Sequence, residues 1–139
     1  MTKNVLLMSI RPQHADKIFN RKKTVELRRI KPKLLEEGDL VFVYVSTPVK
    51  SLVGAFSVSS VIEKPLPILW EKVKDYACVS QSEFLDYYQG TNTGVGIFIN
   101  DIWLLPKPIQ LAELRKESEG FYPPQSFRYT SIQQVESFQ

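Results

Sequence analysis

Short apolar stretches separated by turn signals dominate the hydrophobic pattern of this chain, which is typical of β-strands. Residues 5–10 are apolar with a β-branched residue at each end and predict a buried strand. In residues 24–29, Val25 and Leu27 alternate with Thr24, Glu26 and Arg28, which predicts a half-buried strand with a polar, charged outer row. Further strands are predicted over residues 40–46, over residues 51–62 with a bulge at Gly54, and over residues 95–105.

Helical periodicity occupies the segments between these strands. Pro12 opens a helix that runs to about residue 20, and a second proline-initiated helix begins near residue 65. Ser80 and Glu83 form a predicted capping box for a third helix, which Gly90 ends. A short helix is predicted over residues 111–116, and the adjacent prolines at 123 and 124 predict an extended, aromatic C-terminal segment.

This order of elements predicts an α+β fold rather than a regularly alternating parallel sheet. Five or so short strands with helices inserted between hairpins favour a small mixed β-barrel with helical decorations. The length of 139 residues is that of one domain, so we expect a single domain over residues 1–139.

The composition excludes several classes of protein. Hydrophobic residues make up 43% of the chain, which is enough for a core and too much for a disordered chain. No apolar run approaches the roughly 20 residues that cross a bilayer, and the N-terminus leads into a strand rather than a cleavable signal. A single cysteine, Cys78, and a single histidine, His14, cannot complete a usual zinc site. We therefore expect a cytoplasmic protein without a metal or other cofactor.

The distribution of charge is more informative than the net charge of +3. Residues 1–33, including Lys3, contain ten Lys and Arg against two acidic residues, whereas the remainder of the chain is net acidic. Such a division indicates an anion-binding face on an otherwise solvating domain. The same basic run would also be explained by an exposed, solvated turn.

Two groups of residues could carry chemistry. In residues 21–29, cations flank Glu26 on one strand row, so that Lys23 and Arg28 could hold a phosphate while Glu26 accepts from a base amine. A surface ladder of ion pairs is the alternative. In residues 123–129, an amide, a hydroxyl, a guanidinium and two rings lie on a stiffened chain, which suits the stacking of bases. Docking of Phe127 and Tyr129 onto the domain is the alternative there.

These residues resemble a known family. The run Ser-Ile-Arg-Pro at residues 9–12, a short helix, and then Lys-Thr-Val-Glu-Leu-Arg-Arg at residues 23–29 are similar to the signature of the ASCH domain family, within the PUA-like superfamily. The Glu-Gly-Asp turn at residues 37–39, Ser46 before a proline, and the tail at residues 123–129 extend the resemblance to nearly the whole chain. Within the family, the tail is similar to that of standalone prokaryotic and phage members.

The resemblance implies a PUA-like mixed β-barrel of about five to six strands, with a cleft that binds RNA or nucleobase derivatives. It places Lys23, Glu26 and Arg28 in that cleft, with Ser46 and Arg128 as companions. Some family members are amidohydrolases with a threonine nucleophile three positions after the lysine, where this chain has Glu26, which cannot act as an activated hydroxyl. Others are reported as ribonucleases. A further departure is Arg21, where the family usually has glycine.

The function predicted first is a module that binds single-stranded RNA or a modified nucleobase, with a regulatory role in RNA metabolism or translation. The alternative is a small enzyme, an amidohydrolase or ribonuclease, in which Lys23 and Glu26 form the catalytic pair. A protein-interaction domain that has lost its ligand is a third interpretation. We expect the oligomeric state to be a monomer or weak dimer. The predicted ligand-binding residues are Arg11, Lys23, Thr24, Glu26, Arg28, Arg29, Ser46, Ser126, Arg128 and Tyr129.

Overall fold

The computed structural model describes residues 4–136, so Lys3, which counts toward the basic N-terminal third, lies outside the described residues. Six strands and five helices follow one another within this range. The strands are β1 (Val5–Ile10), β2 (Val25–Arg28), β3 (Leu40–Val45), β4 (Ser51–Pro65), β5 (Thr93–Gln110) and β6 (Phe127–Thr130). The helices are α1 (Pro12–Phe19), α2 (Leu66–Val73), α3 (Gln81–Tyr87), α4 (Leu111–Glu117) and α5 (Ile132–Glu136).

The six strands form one mixed sheet in the order β2-β5-β4-β3-β1-β6. Strand β1 pairs in parallel with β3, and the other pairings are antiparallel. The predicted α+β class, with helices inserted between strands, is therefore confirmed. Closure is not observed within residues 4–136, since β2 and β6 are the two edges and do not pair with each other. The sheet is therefore curled but open, where the sequence predicted a closed barrel.

Three hydrophobic clusters hold this sheet. The first packs the apolar side of α1 against strands β1, β3, β4 and β5. The second packs Leu114 of α4 and Phe121 against strand residues that include Tyr44. The third packs α2, α3 and Tyr88 over Val25 and Leu27 of β2. The site described below lies where elements of these clusters meet.

Strand β2 corrects a sequence-based prediction. The row of Val25 and Leu27 is buried as predicted, but Glu26 on the opposite row is only 5% exposed, and Lys23 just before the strand is 2% exposed. Pattern alone assigned this row to solvent, because alternating charge usually marks a wet face. Here tertiary packing covers both sides of the strand.

Two backbone positions show why particular residue types matter. The pairing between β4 and β5 shifts register next to Gly54, which confirms the predicted bulge. A Cβ atom at Gly54 would lie 2.2 Å from the carbonyl oxygen of Trp103, so the close approach of the two strands requires glycine. Arg21 has a φ of 68°, in the left-handed region that glycine adopts without strain. This conformation gives a physical reason for a glycine at that turn.

The C-terminal segment contains more regular structure than the sequence pattern predicted. Residues 127–130 pair with β1 as an edge strand, and a short helix follows at Ile132–Glu136. No helix within residues 4–136 is long and apolar enough to span a bilayer.

Candidate functional site

A cleft of about 1050 Å³ opens between the two edges of the curled sheet. We call it the edge cleft. Its lining comes from the C-terminal ends of β1 and β3, from strand β2, from helices α1, α3 and α4, and from residues 123–126. The cleft therefore collects side chains from segments that are distant in the sequence.

Arg28 connects the two sides of the edge cleft. It leaves β2 and donates to the carbonyl oxygens of Ser9, at 3.4 Å, and Ser126, at 3.2 Å. It also donates to the Ser126 hydroxyl at 2.5 Å. The tail is held independently by Ser9, whose amide donates to the Ser126 carbonyl and whose hydroxyl donates to the Pro124 carbonyl at 2.6 Å. The Arg28 side chain thus links edge strand β2 to the segment just before edge strand β6, although these two strands do not pair.

Glu26 is the central charge of a buried ionic row. Its carboxylate accepts from the Arg28 guanidinium at 3.2 Å and lies 3.8 Å from the Lys23 ammonium. Lys23 also donates to the carbonyl oxygen of Ala77 at 2.7 Å. Burial lowers the pKa of Lys23, and the charge of Glu26 opposes that shift. Two cations around one buried carboxylate leave a net positive charge in the cleft.

His14 lies in the same cleft on α1. Its Nδ1 atom is buried and has no hydrogen-bond partner within the described part of the chain. Burial lowers the pKa of His14, and the nearby positive charge of Lys23 lowers it further. An imidazole in this position is therefore neutral near pH 7 and able to accept a proton.

The segment after β3 and helix α4 add positive charge to the cleft. Lys50 is exposed, and Arg115 donates to the carbonyl oxygen of Phe121 at 3.3 Å. Arg11 is exposed at the start of α1. Tyr44 is buried below them, and this burial raises the pKa of its phenol, so the hydroxyl remains protonated.

Helix α3 supplies a different kind of lining. Its residues in the cleft include Glu83, Asp86 and the ring of Tyr87, and none of its residues is a cation. The predicted capping box fixes the start of this helix: Ser80 accepts from the Glu83 amide at 3.1 Å, and Glu83 accepts from the Ser80 amide at 2.9 Å. The cleft is thus acidic and aromatic along α3 and basic elsewhere.

The structure brings together six of the ten residues predicted to bind a ligand. Those that line the edge cleft are Arg11, Lys23, Glu26, Arg28, Ser46 and Ser126. The other four, Thr24, Arg29, Arg128 and Tyr129, do not line it. Thr24 instead borders a separate small depression that also includes Arg21.

The residues outside the cleft have other contacts. Arg29 donates to the Tyr87 carbonyl at 2.7 Å. Arg128 donates to the carbonyl of Tyr122, and its guanidinium lies over the rings of Phe121 and Tyr122, at 5.0 and 4.7 Å from their centroids. The Tyr129 hydroxyl accepts from the Leu34 amide at 2.7 Å. The aromatic tail thus docks onto the fold, which is the alternative that the sequence left open, and Arg128 packs against rings of the same segment.

Sequence reasoning missed several cleft residues. Lys50 and Arg115 lie in the net-acidic part of the chain, and Tyr87 gave no signal beyond its place in a helix. His14 entered the sequence analysis only as a histidine that cannot complete a zinc site. The basic N-terminal third supplies Arg11, Lys23 and Arg28 of the described cleft, but not its whole positive charge. Within residues 4–136, no group of three or more His, Cys, Asp or Glu residues is placed to hold a metal ion.

The fold and the cleft motif together define a small sheet domain with a charged cleft at the Lys-Thr-Val-Glu-Leu-Arg strand. The family model for the ASCH domain matches residues 8–126, which include that strand and the Ser126 tail. The chain belongs to the ASCH domain family, as the sequence resemblance indicated.

A curated relative and a solved structure, both from Zymomonas mobilis, are similar to this chain over most of their length. The ASCH domain-containing ribonuclease is 30% identical over 123 residues, which cover 88% of this chain and 82% of that protein. A crystal structure of ASCH from Zymomonas mobilis is 28% identical, with a TM-score of 0.88, and the match covers 96% of this chain and 92% of that chain. The N-terminal domain of Staphylothermus marinus McrB shares the fold, with a TM-score of 0.61 at 13% identity, covering 99% and 97% of the two chains.

Proposed function

We propose that this chain binds single-stranded RNA in the edge cleft and cleaves it. The observation that carries binding is the cleft itself, where the buried row of Lys23, Glu26 and Arg28 is flanked by the cations Arg11, Lys50 and Arg115. Clefts with positive lining attract phosphates, and unpaired bases enter where a duplex cannot. A volume of about 1050 Å³ lies at the upper end of the range for ligand pockets, which leaves room for a nucleotide.

Cleavage is supported by the relative that is named a ribonuclease and by the groups in the cleft. In the proposed step, the ribose 2′-oxygen attacks the adjacent phosphorus, its proton passes to a base, and the P–O5′ bond breaks as the leaving oxygen takes up a proton. The Glu26 carboxylate is already paired with Lys23 and Arg28, so it is not free to take the proton. His14 is neutral and its buried Nδ1 atom has no partner within the described residues, so we assign it as the proton acceptor. The buried cations would stabilise the charge that develops on the phosphate.

A titration with uncleavable RNA tests binding. Wild-type protein is mixed with a labelled single strand that carries 2′-O-methyl groups, at two salt concentrations. We expect the affinity to fall as the salt concentration rises. If Lys50 contacts one phosphate, the slope of log affinity against log salt concentration should become shallower by about 0.7 in Lys50→Ala. Lys33→Ala is the matched control, since it removes an exposed lysine outside the cleft and leaves the affinity unchanged. Binding that does not respond to salt contradicts the proposal.

Incubation with unmodified RNA tests cleavage separately. We expect cut products from wild type, none from the 2′-O-methyl strand, and a rate reduced by roughly 100-fold or more in His14→Ala, as for the loss of a general base. Salt-sensitive binding without cut products would contradict cleavage and keep the RNA-binding part of the proposal. Absence of binding with turnover of acetylated nucleosides would instead favour the amidohydrolase alternative, and inertness toward both would favour an interaction domain.

A further inference from the structure

The ring of Tyr87 is held rigidly at the wall of the edge cleft. Its hydroxyl donates to the carbonyl oxygen of Leu27 at 3.2 Å, and its ring meets Tyr88 edge-on, with centroids 4.8 Å apart. Tyr88 is itself fixed, because its hydroxyl lies 3.0 Å from the Arg28 carbonyl and 3.2 Å from the Val95 carbonyl. The backbone of β2 thus fixes Tyr87 directly through the Leu27 carbonyl and indirectly through Tyr88, which binds the Arg28 carbonyl.

Part of the Tyr87 surface is open to the edge cleft. The residue is 41% exposed, although its hydroxyl is bound to a backbone carbonyl. Tyrosines at surfaces usually bury the ring and present the hydroxyl to water. Here the polar end is satisfied, and the apolar ring contributes to the cleft surface. An aromatic ligand in the edge cleft would therefore meet this ring.

The charges of the cleft decide which part of a nucleotide lies beside this ring. Helix α3 contributes Glu83 and Asp86 to the cleft lining, and these carboxylates repel phosphate. The charges that act on the Tyr87 hydroxyl itself include Arg28 and Glu26 of β2. The cations Lys50 and Arg115 are close in sequence to residues of the second hydrophobic cluster, whereas α3 packs in the third cluster. The cations and α3 therefore belong to different parts of the cleft lining. A strand bound with its phosphates near the cations therefore directs its bases toward α3.

We propose that Tyr87 is a stacking platform for one base of a bound single strand. The inference rests on the proposed RNA binding and adds the part of the cleft that contacts a base. Stacking does not distinguish the bases strongly, because each has a π face. The sequence pattern suited base stacking by the rings of the C-terminal tail, but the Tyr129 hydroxyl is bound to the Leu34 amide outside the cleft. Tyr87 takes that stacking role instead.

The test compares bases with backbone alone. Two labelled 2′-O-methyl strands of equal length are used, one of adenines and one abasic. Wild type is expected to bind the adenine strand more tightly, and Tyr87→Ala is expected to lose about 5- to 150-fold in affinity for it, which corresponds to one base stacked on a ring. The affinity for the abasic strand stays the same in both proteins. Tyr87→Phe keeps the ring and is expected to remain within a few-fold of wild type.

Two controls make the outcomes decisive. Tyr76→Ala removes a tyrosine that is 48% exposed outside the cleft, and it should not alter either affinity. Circular dichroism reports folding, and Tyr87→Leu replaces Tyr87→Ala if the smaller side chain prevents folding. Equal binding of the adenine strand by wild type and the ring-deleted variant overturns the stacking inference alone. Failure of wild type to bind either strand overturns the proposed function instead.

Discussion

At the scale of single residues, the site is a set of side chains whose charges depend on one another. Glu26 is buried together with two cations, and each cation has a second acceptor: Ala77 for Lys23, and Ser126 for Arg28. Buried charges are tolerated when they are paired and fully hydrogen-bonded. Removal of one member therefore affects the others more strongly than the same change on the surface.

Glu26→Gln is expected to lower the free energy of unfolding by about 3–5 kcal/mol, because it leaves the buried Lys23 and the partly buried Arg28 without their counter-charge. Urea unfolding at pH 7 measures the change. Glu71→Gln is the matched control, since it breaks the exposed pair with Lys74 at 2.8 Å and should leave the midpoint where it is. A Glu26→Gln protein as stable as wild type would show that the buried row is not a coupled unit.

His14 is expected to make the protein less stable as the pH falls through about 6.5. Burial, and next the charge of Lys23, lowers the pKa of His14 in the folded state. The unfolded chain therefore binds a proton more readily, and acid favours unfolding. His14→Gln should lose less stability than wild type between pH 8 and pH 5.5 in denaturant titrations. Gln13→Ala, an exposed neighbour that does not titrate, should keep the wild-type dependence.

At the scale of elements, the long strands β4 and β5 shape the cleft by curling the sheet. Their pairing shifts register at three places, near Gly54, between Phe56 and Val58, and between Val58 and Ser60. Bulges increase local twist and bend the strands that contain them. The curl brings β2 toward the strands β1 and β6, so that Arg28 can reach Ser9 and Ser126.

Gly54→Ala is expected to destabilise the fold by about 3 kcal/mol, because the added Cβ would lie 2.2 Å from the Trp103 carbonyl oxygen and 2.9 Å from the ring of Phe19. The backbone oxygen cannot move without disturbing the strand pairing. Thermal or urea unfolding measures the loss. Ser59→Ala, an exposed position on the same strand, should stay within about 0.5 kcal/mol of wild type. Equal effects at both positions would disprove the close-approach explanation.

At the scale of the whole molecule, the cleft depends on a contact between distant ends of the chain. Arg28 and Ser126 are 98 positions apart, and Ser9 and Pro124 are 115 apart. Residues 123–126 form one side of the cleft, and hydrogen bonds from Ser9 and Arg28 hold them there. The cleft therefore exists only in the complete fold.

Arg28→Ala is expected to loosen residues 121–130 without unfolding the sheet, since Ser9 still holds the Pro124 carbonyl. Hydrogen–deuterium exchange should be faster in peptides from that segment and unchanged in those from β3 and β4. Lys33→Ala, which removes an exposed cation outside the cleft, should reproduce the wild-type pattern. Unaltered exchange near the tail in Arg28→Ala would mean that Ser9 alone positions it.

Much of the fold could be predicted because its signals are local. The apolar run of β1, the proline that opens α1, the capping box of α3 and the bulge at Gly54 each depend on residues close in the sequence. The motif strand also identified the family, which the match over residues 8–126 confirms. Closure of the sheet was not predicted correctly, since it depends on how far bulges curl two long strands.

The sequence alone determined most of the elements up to residue 116, the family and the strand that carries Lys23, Glu26 and Arg28. Only the tertiary structure decided that this charged row is buried, that the aromatic tail docks onto the fold, and that Lys50, Arg115, His14 and Tyr87 join the cleft. The reason is physical: hydrophobic period and capping act over a few residues, whereas burial of a charge depends on which distant segments cover it.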